Sequence, residues 1–250
     1  QMARPLRIEY PDAVYHISNY SAGNQRAFPS EKYFEAFLKG LEETCSRLNV
    51  EIQSFCLLRN QYHLIVKTPE ANLSRFMRQV DGLYTQHYQK LKRTSGSLFR
   101  GRYKAVLIQS EKYLLPLSRY IHSKVKASEV STYPYTSYAY LTRKKKPPRW
   151  FNRNEVQKQL KVTAIKRGLA YKKYLAAGLD EEMTHFYGKK NLSSIMGDEK
   201  FKKSALKKRF ATKTRGVSRG VNAKWRPSCR QIISAVARRF RVSETSIYRA

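Results

Sequence analysis

Two residues in segment 61–66 are of the types that hold a divalent cation. The segment alternates in polarity and is rich in strand-forming residues, so Gln61 and His63 project from the same face of one predicted strand. An amide oxygen and an imidazole nitrogen at this spacing can bind one Mg²⁺ or Mn²⁺ ion. The alternative is a hydrogen-bonded glutamine–histidine pair at the start of a strand, which is the commoner role of such residues.

A second candidate pair lies in segment 119–124, where the pattern predicts a helix. Lys124 follows Tyr120 by one helical turn and shares its face. A tyrosine hydroxyl can attack a phosphodiester and form a covalent phosphotyrosine, and a neighbouring cation such as Lys124 would lower its pKa from about 10. The alternative is an aromatic side chain that faces the core, the commoner role of tyrosine at helical spacing.

The elements that must position these residues alternate between strands and helices. Alternating runs predict strands, and apolar residues that recur every three or four positions predict helices. The predicted strands are 13–18, 52–58, 62–68 and 103–109, and the predicted helices are 31–48 with Ser30 as its cap, 72–92 and 111–124. This order predicts an α+β protein, a ferredoxin-like sandwich with an antiparallel four-stranded sheet and helices.

The composition is strongly basic, with 50 Lys+Arg against 18 Asp+Glu in 250 residues and a net charge of +32. Such a charge disfavours an acidic metabolic enzyme and favours a polyanionic partner, which is nucleic acid or an anionic membrane. No apolar run of about 18 residues and no signal-peptide core are present, and no long basic amphipathic helix carries bulky aromatic residues. We therefore predict a soluble, cytoplasmic protein that binds no membrane. The scattered Cys45, Cys56 and Cys229 indicate reduced thiols.

The charge is unevenly divided along the chain. Residues 1–140 carry 20 basic and 11 acidic side chains, whereas residues 141–250 carry 30 and 7. A basic run closed by two prolines, at 143–149, indicates a boundary near residue 142. The sequence thus predicts a first domain at 1–142, a basic helical extension with a linker at 143–226, and a final segment at 227–250. Within the extension, apolar spacing at Leu192, Ile195, Met196 and Phe201 indicates a helix, with Asp198 at a turn.

The final segment has the pattern of a helix-turn-helix. A short amphipathic helix at 232–240 is followed by Ser243, a good N-cap, and by Ser246. The pattern resembles the start of the C-terminal domain of the replication initiator DnaA, and a generic helical hairpin is the alternative. It stops at Ala250 within its second helix, and Gln1 before Met2 is typical of a residue left by tag removal.

Four longer motifs resemble the REP-associated tyrosine transposases of the single-tyrosine HUH superfamily. They are MARPLRIEYP at 2–11, TPEANLSRFMRQ at 68–79, LFRGRYKA at 98–105 and LSRYIH at 117–122. The resemblance covers roughly residues 2–141 and implies the same ferredoxin-like fold. It also implies nicking and rejoining of single-stranded or hairpin DNA through a 5′-phosphotyrosine, with a divalent metal, in a bacterial, nucleoid-associated protein. By position, Tyr120 matches the nucleophile and His63 the second histidine of the His-hydrophobic-His motif.

The chain departs from this family at the metal ligands. Gln61 stands at the first histidine, and Ser123 and Lys124 replace the Leu-Asn of the family, whose asparagine completes the metal site. An ammonium group beside such a site repels the ion or replaces its charge. Two hypotheses follow. One is a transposase, active or attenuated, with Tyr120 and Lys124 as catalytic residues. The other is a domesticated, catalytically inactive relative on the same scaffold that binds DNA or RNA without cutting it.

The basic residues are the predicted phosphate contacts, since such contacts position DNA without reading its sequence. The predicted DNA-binding residues are Arg100, Arg102, Lys104, Arg119, Arg143, Lys144, Lys145, Lys146, Lys207, Lys208, Arg209, Arg215, Arg219, Arg238 and Arg239, together with Ser243 and Ser246. The sequence leaves the oligomeric state open.

Overall fold

The computed structural model describes residues 7–23, 25–189 and 193–216, with the backbone alone from residue 209 onward. A first compact unit ends at Arg209, and residues 210–250 form a second. The strands are β1 (Ala13–Tyr20), β2 (Glu51–Leu58), β3 (Gln61–Thr68), β4 (Lys104–Ile108) and β5 (Ile195–Met196). The helices are α1 (Glu31–Leu48), α2 (Leu73–Lys92), α3 (Ser110–His122), α4 (Tyr138–Leu141), α5 (Asn154–Lys158), α6 (Arg167–Ala176), α7 (Glu181–Gly188) and α8 (Glu199–Gly216), with a 3-10 turn at Ala164–Lys166.

The sheet has the strand order β2-β3-β1-β4-β5, and its first four strands pair antiparallel. Alternation along β3 divides its side chains between the two faces. Tyr62 packs against Phe37 of α1 and donates a hydrogen bond to Asp81 of α2, whereas His63 points to the opposite face. Helix α3 packs on β2 and β3. The predicted α+β sandwich is therefore confirmed, with one strand more than expected.

That additional strand corrects the prediction of a helix around Ile195 and Met196. The two residues pair parallel with β4, where the Leu107 amide donates to the Ser194 carbonyl at 2.9 Å and the Gln109 amide to the Met196 carbonyl at 2.8 Å. The free edge of β4 presents unpaired backbone N–H and C=O groups. Hydrogen bonds to these groups outweigh the helical preference that the apolar spacing of the segment suggested. Asp198 lies at the start of α8, where its carboxylate accepts a hydrogen bond from the Phe201 amide at 2.7 Å.

The cap of α1 is a second correction. The helix has the predicted bounds, and Ser30 stands at the N-cap position in extended backbone, but its side chain makes no capping hydrogen bond. The buried residues of the helix, including Phe34, Phe37 and Leu41, instead fix it against the core.

The predicted extension packs onto the ferredoxin-like part up to Arg209, so the boundary predicted near residue 142 lies inside one compact unit. Past the two prolines, the Ile52 amide donates to the Trp150 carbonyl at 3.2 Å, and the Asn152 amide donates to the Ile52 carbonyl at 2.8 Å. Helix α6 approaches residue 142 so closely that a Cβ at Gly168 would lie 2.5 Å from the Thr142 carbonyl oxygen. The predicted helix-turn-helix at 227–250 lies outside the described residues.

No helix in the described part of the chain is long and apolar enough to cross a membrane. Cys45 and Cys56 are buried free thiols, and burial raises the pKa of Cys56 to about 12. Both thiols are therefore protonated and unreactive at neutral pH. Cys229 lies outside the described residues.

Candidate nucleic-acid site

Two histidines meet on the α3 face of the sheet. Ser18 of β1 lies opposite His63 of β3, which puts His16, two residues earlier, on the same face. The two imidazole rings stack with centroids 5.3 Å apart, and Nε2 of His16 lies 3.1 Å from Nδ1 of His63. Both side chains are buried. His16 was not among the predicted site residues, because the pairing of β1 with β3 cannot be read from local sequence.

A tyrosine from the extension contacts this histidine pair. The hydroxyl of Tyr187, on α7, lies 2.7 Å from Nδ1 of His16. Its ring also stacks on Tyr120 of α3, with centroids 4.2 Å apart and planes 15° apart. No sequence motif pointed to Tyr187, which reaches the site only because α6 and α7 fold back onto α3.

The start of helix α7 is held on α3 by polar contacts. Arg119 forms an ion pair with Asp180, the residue before α7, and it donates a hydrogen bond to the Tyr174 carbonyl at 3.1 Å. The Tyr113 hydroxyl donates to Glu182 at 2.5 Å. The guanidinium of Arg119, which the sequence predicts to bind DNA, is thus buried and makes these contacts within the protein.

Lys124 lies beside Tyr120, and the two side chains are in contact. The ammonium of Lys124 lies 4.0 Å from the centroid of the Tyr120 ring, so it contacts the face of the ring. Burial raises the pKa of Tyr120. The expected lowering of that pKa by Lys124 is thus not found, and the raised pKa leaves less of the half-buried Tyr120 as the reactive phenolate at neutral pH.

The two imidazoles are neutral at physiological pH. Burial, together with the smaller effect of the positive charge of Lys124, lowers the pKa of His63 to about 3. The pKa of His16 lies well below its ordinary value for the same reason, with additional contributions from His63 and Lys124. Burial also lowers the pKa of Lys124. The site therefore combines neutral ring nitrogens with one nearby ammonium group.

These donors do not fit the divalent metal that the family resemblance implies. Both nitrogens of His16 and Nδ1 of His63 have hydrogen-bond partners, and Nε2 of His63 is the one ring nitrogen of the pair without one. Within the described residues, no group of three or more His, Cys, Asp or Glu is arranged to hold a metal ion. Mg²⁺ and Mn²⁺ prefer carboxylate and other oxygen ligands. Gln61 could supply a single amide oxygen, and Lys124 opposes a cation.

A basic cavity of about 850 Å³ adjoins the histidines. Its wall includes the three predicted cations Arg100, Arg102 and Lys104 and, among the described residues, no acidic side chain; the other described lining residues are Asn19, Tyr20, Ser21, Gly23 and Asn60. The ring of Tyr20 is 42 % exposed and lies 6.4 Å from that of His63, so it connects the cavity with the histidine pair. The backbone fixes this arrangement, since the Arg100 amide donates to the Tyr20 carbonyl at 2.8 Å.

The other predicted DNA-binding residues lie away from this cavity. The side chains of residues 143–146 and of Lys207 and Lys208 are exposed, and the ammonium of Lys208 lies 4.1 Å from the centroid of the Tyr10 ring. Arg209 and Arg215 lie in the later part of α8, from residue 209 onward, where the backbone alone is described. Five predicted residues lie outside the described part of the chain: Arg219, Arg238, Arg239, Ser243 and Ser246.

Comparisons with known proteins agree with the resemblance in part of the chain. Residues 10–124 match the model of a family described as "Transposase IS200 like". The match ends at Lys124, so Tyr187 and the rest of the extension lie beyond it. A comparison with curated proteins gave no significant match.

Two solved structures are similar to the chain. One is a REP-associated tyrosine transposase bound to a REP hairpin, with 14 % identity and a TM-score of 0.50 over 59 % of this chain and 89 % of that one. This likeness shows the fold. The other, a putative transposase from Deinococcus radiodurans R1, has 12 % identity and a TM-score of 0.34 over 49 % of this chain and 98 % of that one, too low for a structural argument.

Proposed function

We propose that the protein is a transposase-like DNA-binding protein that binds single-stranded or hairpin DNA. The basic cavity carries this proposal, because three cations line it, its described lining residues include no acid, and an exposed tyrosine ring stands beside them. Arg and Lys side chains bind phosphates, and an aromatic ring stacks on an unpaired base of any sequence. The family match over residues 10–124 and the fold of a transposase that binds a REP hairpin support the choice of DNA.

Replacing the three cations together tests this function. The variant with Arg100→Ala, Arg102→Ala and Lys104→Ala should bind a labelled hairpin oligonucleotide with a single-stranded tail more weakly. The slope of log affinity against log salt should flatten by about two to three, as expected for three lost phosphate contacts. A matched control removes three exposed charges elsewhere, with Lys39→Ala, Lys90→Ala and Lys126→Ala. Equal effects of the two triple variants would reject the cavity as the DNA site.

The second candidate function is cleavage of the bound strand, and the position of Tyr120 favours it. Tyr120 matches the nucleophile of the family, and its ring lies 6.2 Å from that of His16. In this reaction the Tyr120 oxygen bonds to phosphorus, the bond from phosphorus to the 3′ oxygen breaks, and the phosphate stays on the tyrosine. The phenolic proton passes to solvent, and the departing 3′ oxygen takes up a proton. The raised pKa of Tyr120 and the poor fit to a metal predict at most slow cleavage.

Trapping a covalent adduct tests the second function. The protein is incubated with the labelled hairpin and Mg²⁺ or Mn²⁺, and SDS-resistant adducts are separated on a gel. An adduct that disappears in Tyr120→Phe supports cleavage. Tight binding without an adduct supports the domesticated, non-cleaving alternative.

A further inference from the structure

We propose that His63 presents a ring N–H to the site, and that this N–H and the Lys124 ammonium bind a phosphate oxygen directly, in place of a metal ion. In this arrangement Tyr187 is a positioning residue, because its hydroxyl sets which nitrogen of each histidine carries the proton. The inference rests on the proposed function only for the source of the phosphate, which would be the backbone of bound DNA.

The direction of the hydrogen bonds follows from the Tyr187 hydroxyl. If that hydroxyl donates to Nδ1 of His16, the proton of the neutral His16 ring lies on Nε2. Nε2 of His16 then donates to Nδ1 of His63, and the proton of the His63 ring lies on its Nε2. Every group in this series of hydrogen bonds has a partner except the last one, the N–H at Nε2 of His63.

The opposite direction leaves more groups without partners. His63 would then donate through Nδ1 to His16, and His16 would donate through Nδ1 to the Tyr187 oxygen. The Tyr187 O–H would need another acceptor, and the described residues give it none besides His16. Nε2 of His63 would remain unpaired as well. Each unpaired buried polar group is costly, so the first direction, which leaves one such group, is favoured over the opposite direction, which leaves two.

The last group in this series of hydrogen bonds, Nε2 of His63, indicates the chemistry of the ligand. Nε2 of His63 has no hydrogen-bond partner in the described part of the chain, and the side chain is 2 % exposed. An N–H group cannot bind a cation, but it can donate to an oxygen. The Lys124 ammonium lies 4.0 Å from the centroid of the Tyr120 ring, and the centroid of that ring lies 6.2 Å from that of His16. An N–H donor and an ammonium group together suit an anionic oxygen, and the neighbouring cations of the basic cavity favour a phosphate.

Nitrogen-15 NMR of labelled protein tests the tautomers directly. Long-range proton–nitrogen spectra distinguish protonated from bare ring nitrogens, and His63→Gln assigns the signals of His63. We expect a protonated Nε2 on both histidines. A bare Nε2 on His63 in the unaltered protein would overturn the proposal.

Two tyrosine variants then test the positioning role. Tyr187→Phe removes the hydroxyl and should shift His63 toward a bare Nε2. The matched control Tyr113→Phe removes a hydroxyl that also bonds to α7 but contacts neither histidine, and it should leave the spectra unchanged. If Tyr187→Phe also leaves them unchanged, Tyr187 does not set the tautomers.

The ligand is tested with inorganic phosphate and, separately, with a single-stranded oligonucleotide, each in the presence of EDTA. We expect both to shift the His63 Nε2 signal, and we expect His63→Leu to weaken oligonucleotide binding about tenfold. A shift with phosphate alone supports the anion site and counts against the proposed DNA function. The proposal is overturned if neither ligand shifts the signal in EDTA, including the case in which a shift appears only when Mn²⁺ replaces the EDTA.

Discussion

Tyr187 lies against Tyr120 with the two rings nearly parallel, although the residues belong to different helices and lie 67 positions apart in the chain. The stack joins the segment that matches a transposase family to the extension that follows it. One face of the candidate nucleophile is therefore covered by the protein itself, and the same covering residue holds His16. The extension is thus part of the site as well as a basic surface.

The stack predicts a change in the acidity of Tyr120 when Tyr187 is shortened. Burial is what raises the pKa of Tyr120, so Tyr187→Ala should return that pKa toward its ordinary value of 10.0. Titration of ring-labelled tyrosine by NMR measures this directly. Tyr174→Ala, which removes a ring from the Arg119 side of the interface, serves as the control and should leave Tyr120 unchanged. An unaltered Tyr120 pKa in Tyr187→Ala would contradict burial by the stack.

The ion pair between Arg119 and Asp180 predicts a loss of stability when its acid is removed. Asp180→Ala leaves a buried guanidinium without its counter-charge, and the free energy of unfolding in urea should fall by about 2–3 kcal/mol. Glu129→Ala breaks an exposed pair with Lys126 and should cost less than about 0.5 kcal/mol. Equal effects of the two variants would show that the buried pair does not hold α7.

The close approach of α6 predicts opposite effects for two glycine substitutions. Gly168→Ala forces a Cβ against the Thr142 carbonyl, and the free energy of unfolding should fall by about 1–3 kcal/mol. Gly82→Ala lies in α2 with nothing within 4 Å of its new Cβ and should raise stability by about 0.5–1 kcal/mol. Thermal unfolding of both variants checks the pair. A neutral or stabilising Gly168→Ala would mean that α6 packs less tightly than described.

His122 predicts a loss of stability in mild acid. It is buried between the Tyr171 and Ser137 hydroxyls, and burial lowers its pKa from 6.5 to about 3. Because the folded pKa lies below the unfolded one, its contribution is present above pH 6.5 and is lost as the pH falls toward 3. Below pH 6 the free energy of unfolding should fall by up to about 1.4 kcal/mol per pH unit from this group.

Comparison of two histidine variants isolates that contribution. Denaturation curves between pH 7 and pH 4.5 should show a shallower pH dependence for His122→Asn than for the unaltered protein. His87→Gln, on an exposed part of α2, should keep the original dependence. An unchanged slope in His122→Asn would contradict a neutral buried His122.

The sequence predicted the elements whose signal is local. The apolar stripe of α1 gave its bounds, and alternation located β2 and β3 within a residue of their observed ends. It also placed Tyr120 and Lys124 on one face. The ferredoxin-like order followed from these elements alone.

The rest of the site depends on contacts between distant parts of the chain. His16 meets His63 through strand register, and Tyr187 reaches His16 across 171 positions. Arg119 was predicted to contact DNA because it is a cation in a basic protein, and nothing in the local sequence indicates its burial beside Asp180. The two-residue strand β5 is too short to show alternation, and the open edge of β4 alone defines it.

The four antiparallel strands have β2 and β4 on the outside, and the outer sides of both are covered over part of their length. Next to β5, the backbone of β4 is paired at Leu107 and Gln109, and the outer side of β2 bonds to residues near 136 and 151. Uncovered strand edges invite pairing with other chains and aggregation. Cutting the protein at residue 142 would remove β5 and the segment around 151. The ferredoxin-like part alone would then expose unpaired backbone groups on β4 and on part of β2. In this sense the basic extension also protects the solubility of the sheet that it covers.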